Sequence, residues 1–175
     1  MFECFYPDEI KSSAYEIDYE QLYKKGYRGL LFDIDNTLVE HGQDATARAR
    51  ELFCRLKKIG FSCGLISNNG KERVNRFNRN IGAHVVVKAN KPLSWGYEKA
   101  MSRMGTNPHN TIFIGDQLFT DIWGAKRAGI RNILVKPIAK HEEIQIVLKR
   151  RLEKIVLNEY NKKVRINLSE IHREK

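Results

Sequence analysis

Cysteine and proline are scarce in this chain of 175 residues, at three and four positions. No apolar run approaches the roughly 18 residues a helix needs to cross a bilayer; the longest, around Gly29–Phe32 and Ala83–Val87, are strand-sized. Cys4, Cys54 and Cys63 are odd in number and lack a C-x-x-C spacing, which argues against a disulfide framework and a zinc site. They are expected to be ordinary buried thiols. With few prolines, no repeats and no low-complexity tract, collagen-like and largely disordered classes are excluded. Met1–Ile10 carries Glu3, Asp8 and Glu9 and has neither a basic leader nor an apolar core, so it does not read as a secretory signal, and a cytoplasmic location is expected. What is present is a 42 % hydrophobic fraction, enough for one domain with one core, and an excess of base. Thirty-one Lys and Arg against 21 Asp and Glu leave a net charge of +10. That balance suits an anionic partner or substrate, whether nucleic acid, phospholipid surface or phosphorylated metabolite.

From residue 27 onward, short apolar runs alternate with helical patterns. Strands are expected over 27–34, 61–66, 84–87, 111–115 and 130–135, with helices over 43–58, 70–80, 92–104 and 119–128. Pro92 would lie in the first helical turn, where proline is tolerated, and Gly129 would close the last helix. This alternation predicts an α/β fold, a Rossmann-like central parallel sheet with helices on both faces, which binds its ligand at the carboxyl ends of the strands. Residues 1–26 read as a leader outside that core, with a short helix over 18–25, and 27–140 as the core itself. Residues 141–175 read as a basic amphipathic helix, 142–160, followed by a tail in which Val164, Ile166 and Leu168 alternate and leave a short strand or an irregular end open.

Chemistry-bearing residues gather at the expected strand ends. Asp33-Ile34-Asp35-Asn36-Thr37-Leu38 ends the first core strand. A carboxylate pair there can divide the labour of phosphoryl transfer, one attacking phosphorus while the other moves a proton. Alone, it reads equally well as an acidic turn. Ser67-Asn68-Asn69-Gly70 follows the next strand and opens a helix, where a hydroxyl and backbone N–H groups suit an anion, or simply cap the helix. Lys91-Pro92 offers a point charge for phosphate, though a lone lysine is usually a solvated one. Gly115-Asp116-Gln117-Leu118-Phe119-Thr120-Asp121 adds two acids, and an oxygen-only donor set suits magnesium.

Together, D-I-D-N-T-L, S-N-N, K-P and G-D-Q-L-F-T-D, in this order over roughly residues 28–136, resemble the haloacid dehalogenase superfamily of aspartate-nucleophile phosphatases. The leader Pro7-Asp8 through Ile17-Asp18, the short motif spacing and Thr120–Gly129 resemble the YqeG branch of its subfamily IIIA, which is similar to phosphatidylglycerophosphate phosphatases. The resemblance implies that Asp33 forms an aspartyl-phosphate and that Asp35 is the general acid and then the base for water. Ser67, Asn68 and Lys91 would bind the phosphoryl oxygens, with Lys91 also screening Asp33 from phosphate. Mg²⁺ would sit on the Asp33 carboxylate, the Asp35 carbonyl and Asp116, while Thr37 shapes the turn and Asp121 lies nearby. The substrate it implies is phosphatidylglycerophosphate, hydrolysed to phosphatidylglycerol.

Asp33 and Ser67 are 34 positions apart and Ser67 and Lys91 are 24, room for one helix and one strand each. A capless, open site is therefore expected. The last forty residues hold eleven Lys and Arg against six Glu, half of the excess charge. A basic amphipathic helix there fits peripheral contact with the inner membrane face, or packing on the sheet or a second subunit. A soluble phosphatase of nucleotides, sugar phosphates or nucleic-acid ends is the alternative. A non-catalytic adaptor on RNA or a protein partner is a further alternative; the intact acidic constellation weighs against it, and no RNP-type aromatic strand or other nucleic-acid module is present.

Overall fold

In the computed structural model the described residues are 2–139 and 144–171, with side chains over 151–164 in the second stretch. Six parallel strands form one open sheet in the order β1-β6-β5-β2-β3-β4. They are β1 (Glu9–Lys11), β2 (Gly29–Phe32), β3 (Ser62–Ile66), β4 (His84–Val86), β5 (Thr111–Gly115) and β6 (Arg131–Val135). The helices are α1 (Tyr19–Lys24), α2 (Ala47–Ile59), α3 (Lys71–Asn78), α4 (Trp95–Met104), α5 (Trp123–Arg127) and α6 (Ile144–Ile171).

Because a strand alternates its side chains, each central strand feeds two cores. Leu30, Phe32, Ile112, Ile114, Ile133 and Val135 meet Leu52, Phe53 and Leu56 of α2 on one face. Leu31, Phe113 and Ile66 meet Tyr97, Ala100 and Met101 of α4 on the other. The Thr46 hydroxyl caps α2 by accepting from the Ala49 N–H at 3.2 Å, and Gly60 ends it at φ 110°, a conformation other residues rarely adopt. The intervals between Asp33 and Ser67 and between Ser67 and Lys91 hold one helix and one strand each, and no cap domain.

Five expectations need correction. The 1–26 stretch does not lie wholly outside the sheet, since β1 is its edge strand, paired Ile10↔Leu134 with β6. Asp8 anchors it by accepting from the backbone and side-chain amides of Asn132 at 2.9 and 2.8 Å. A three-residue strand whose ends are Glu9 and Lys11 leaves no hydrophobic run to read. Pro92 precedes α4, which begins at Trp95. The 119–128 helix is a π-helical turn, Leu118–Ile122, followed by the short α5, because the chain there bends to bring Asp121 back onto Asp116. The alternation at 164–168 is neither strand nor irregular, for α6 runs on to Ile171; the side chains of Ile166 and Leu168 lie outside those described. The thiols also differ from expectation, with Cys4 and Cys54 exposed, Cys63 half-buried and all three free.

Candidate active site

The sheet order reverses between β2 and β5, the place where a parallel sheet opens a crevice at its carboxyl edge. Phe32 is in register with Ile114, and the Asp33 N–H donates to the Ile114 carbonyl at 3.0 Å, so Asp33 and Asp116 leave adjacent strands side by side. The chain then turns sharply. Asn36 adopts φ 62°, its N–H reaches the Val39 carbonyl at 2.7 Å, and the Thr37 hydroxyl donates to Asp116 Oδ1 at 3.3 Å. This ties the first acidic motif to the last.

Lys91 lies at the centre. Its ammonium donates to Asp33 Oδ1 at 2.5 Å and to Asp121 Oδ1 at 2.7 Å, with its side chain only 5 % exposed. Asp121 Oδ2 accepts from the backbone N–H groups of Asp116 and Gln117 at 3.0 and 3.1 Å. Gly115 makes this closeness possible, since a Cβ there would stand 2.6 Å from Asp121 Oδ2. The Asp33 carboxyl is raised to about 7, chiefly by burial, with Lys91 pulling against it and Asp121 adding to it. For Lys91 burial opposes the charge, but Asp121 and Asp33 outweigh it and hold the ammonium well above its ordinary value.

Asp35 points elsewhere. Its Oδ1 accepts from the Gly42 N–H at 2.8 Å and from Arg73 Nη2 at 2.9 Å, and its Oδ2 from Asn69 Nδ2 at 2.7 Å. Ser67 is buried at the floor, its hydroxyl accepting from the Asn69 N–H at 3.1 Å. The side chain of Asn68 clasps the Lys91 backbone: its Oδ1 accepts from the Lys91 N–H at 2.7 Å and its amide donates to the Lys91 carbonyl at 3.2 Å. A cavity of about 200 Å³ opens above, lined by Asp33, Asp35, Ser67, Asn68 and Lys91 together with His41, Gln117 and Thr120. Every residue singled out in the sequence is thus at one strand-end cluster.

Among the described residues, Asp33, Asp116 and Asp121 each bring a carboxylate oxygen within 4.8 Å of the others, all three buried. Three acids around one ammonium leave an excess of buried negative charge, which an oxygen-preferring dication would offset. The donor set fits such an ion. The sequence motifs did not reveal Arg73 or Tyr97, and they held Asn69 without its role on Asp35. Asn69, in the loop before α3, and Arg73, in the first turn of α3, meet on Asp35 from the two sides of the helix start. Tyr97 donates at 3.1 Å to the Thr120 and Asp121 carbonyls, but in sequence it is one more aromatic on an apolar helix face.

Residues 42–129 match the family described as haloacid dehalogenase-like hydrolase, a span that includes Ser67, Lys91, Asp116 and Asp121. The chain is 34 % identical to the protein named "Probable phosphatase YqeG" of Bacillus subtilis, over 95 % of this chain and 97 % of that protein. It is 29 % identical to a chloroplastic/mitochondrial phosphatidylglycerophosphate phosphatase 1 of Arabidopsis thaliana, covering 88 % of this chain but only 47 % of that longer protein. A solved Bacteroides fragilis structure, described as haloacid dehalogenase-like hydrolase, superposes with a TM-score of 0.54 at 18 % identity, over 69 % of this chain and 93 % of that one.

Proposed function

The chain belongs to the haloacid dehalogenase-like hydrolases and is a phosphatase, and from that premise we propose that Asp33 is its nucleophile and phosphatidylglycerophosphate its substrate. The observation that carries the mechanism is Asp33 at the sheet's switch point, paired with a buried lysine and open to a polar cavity. An Asp33 carboxylate oxygen attacks phosphorus, the bond from phosphorus to the ester oxygen breaks, and Asp35 gives that oxygen its proton. Water then attacks the aspartyl-phosphate, Asp35 takes a proton from it, and inorganic phosphate leaves with Asp33 restored. Asp35 is held here by three donors, so delivery of its proton requires it to exchange one of them for the ester oxygen. Lys91 and Ser67 hold the transferring phosphoryl oxygens, and Asn68 positions Lys91 by its backbone. Asp33, Asp116 and the Asp35 carbonyl, with Asp121 beside them, would hold Mg²⁺, which when bound would supply the positive charge that lets an anionic nucleophile meet an anionic ester.

Three observations support the lipid substrate. Among the described residues no cap domain stands between the motifs, so a phosphate displayed on a large assembly can reach the site. The net charge of +10 favours an anionic surface. The similarity to the Arabidopsis lipid phosphatase extends over 88 % of this chain. Among the described residues no helix is long and apolar enough to cross a membrane, so access to lipid would be peripheral. The test is phosphate release from phosphatidylglycerophosphate in mixed micelles and from soluble phosphomonoesters, with Asp33→Asn as the blank. Turnover of the lipid that vanishes in Asp33→Asn is expected. Efficient turnover of a soluble metabolite with indifference to the lipid would overturn the substrate, and activity surviving in Asp33→Asn would overturn the mechanism.

A further inference from the structure

A second and larger cavity, about 380 Å³, opens at the same carboxyl edge of the sheet. Where the phosphate pocket is polar, this one is walled by Ile10, Leu134, Val135, Pro137 and Leu157, drawn from β1, β6, the segment after β6, and α6. Ile10 and Leu134 are register partners in a parallel pair, so both project from the same face of the sheet. That face is the one α6 covers, with Val156 packed beside Leu134. At its inner end the groove reaches Asp116, whose carboxylate lies within 4.8 Å of that of Asp33. Lys136 and Lys154 also line it. Glu153 does too, with one oxygen accepting from the Leu118 N–H at 2.7 Å.

An apolar groove therefore meets a polar, cation-bearing pocket across a single pair of aspartates. That juxtaposition matches an amphiphile: a phosphomonoester on one side, and on the other a hydrocarbon body attached through a second anionic group. Its volume is at the lower end of the roughly 300–1,000 Å³ of ligand sites, too small for a folded partner and adequate for part of one lipid. Resting on the lipid reading above, we propose that this groove receives the glycerol backbone and first acyl methylenes of the phospholipid whose terminal phosphate lies at Asp33. Lys136 and Lys154 supply charge opposite the phosphodiester. Apart from Asp116, the groove is built from β1, β6 with the segment after it, and α6, all outside the 42–129 span that matches the hydrolase family. On this proposal those additions provide the substrate selection that a cap provides elsewhere.

The experiment compares kcat and KM on three substrates: dihexanoyl phosphatidylglycerophosphate, its deacylated headgroup, and p-nitrophenyl phosphate. Wild-type protein should favour the acylated form over the headgroup by about tenfold or more, the discrimination available to a few methylenes in an apolar pocket. Leu157→Gln and Ile10→Gln should erase most of that preference through KM while leaving the headgroup and p-nitrophenyl phosphate unaffected. Ile10 is 38 % exposed, so its variant keeps the test open should Leu157→Gln fail to fold. Lys154→Gln should raise KM several-fold for both substrates that carry a phosphodiester and not for p-nitrophenyl phosphate. Preference for the acylated form that persists in both groove variants, or no such preference in the wild type, overturns the groove and leaves the lipid reading standing. Hydrolysis of p-nitrophenyl phosphate with neither phosphodiester-bearing substrate turned over overturns the lipid reading, and the groove with it.

Discussion

Replacing Lys91 by methionine removes one charge from the centre of the site while keeping a side chain of similar length. The ammonium stands 2.5 Å from Asp33 and 2.7 Å from Asp121, and all three side chains are at least nine-tenths buried. Removing one partner of a buried ion pair costs about 3–5 kcal/mol, because the remaining charge is left uncompensated in a poorly solvated place. At roughly 2–4 °C per kcal/mol for a chain of this size, Lys91→Met should lower Tm by roughly 6–20 °C in metal-free protein. The loss should depend on pH. Burial raises the Asp33 carboxyl from 3.8 to about 7, against the pull of Lys91. A carboxyl so raised holds its proton more tightly folded than unfolded, so its favourable contribution is complete below pH 4 and is lost as pH rises through about 7. Without Lys91 the folded-state value climbs higher, and the protonated acid no longer needs a cation. The variant should therefore lose more stability at pH 8 than at pH 6. Urea denaturation in EDTA at both pH values, with Asp33→Asn as the second arm of a double-mutant cycle, measures this. Equal losses at both pH values and in both backgrounds would refute the electrostatic reasoning.

Chelation should abolish phosphatase activity and Mg²⁺ should restore it, with Ca²⁺ a poor substitute because its bonds of about 2.3–2.6 Å exceed the 2.0–2.1 Å of Mg²⁺. Undiminished turnover in excess EDTA would end the assignment of Asp33, Asp116 and the Asp35 carbonyl to a metal. Glu153→Leu should destabilise by about 1–3 kcal/mol in urea, since the buried Leu118 N–H loses its acceptor, whereas Glu153→Gln should keep most of that bond. A Leu variant as stable as wild type would show that α6 does not hold the motif turn. Alkylation with iodoacetamide at pH 8 should modify Cys4 and Cys54 well before Cys63, because burial pushes the Cys63 thiol up to about 12 and leaves little thiolate. Peptide mass mapping that finds Cys63 labelled first would contradict this.

Much of the sheet was legible because its strands are short apolar runs between helical patterns, and 111–115 agrees residue for residue. Element ends were less so. α4 starts three residues later than its pattern suggests because 91–94 turn to deliver Lys91 into the site. β1 was invisible, since its pairing with β6 comes from register and from Asp8 on Asn132, not from its own side chains. The site motifs were readable as types at strand ends, and all of them converge. The orientation of each group was not: the Asp35 carboxylate turns to Gly42, Asn69 and Arg73, and Asn68 grips a backbone.

The sequence by itself determined the layer architecture and the chemistry, because hydrophobic period and residue type are local properties that survive without contacts. Only the tertiary structure decided that Lys91 stands between Asp33 and Asp121, that Glu153 of α6 holds the Leu118 turn, and that an apolar groove lies beside the acids. Those relations join residues 30, 58 and 35 positions apart. They depend on which strands lie side by side at the reversal between β2 and β5, a choice made by packing over the whole sheet and written in no single segment of the chain.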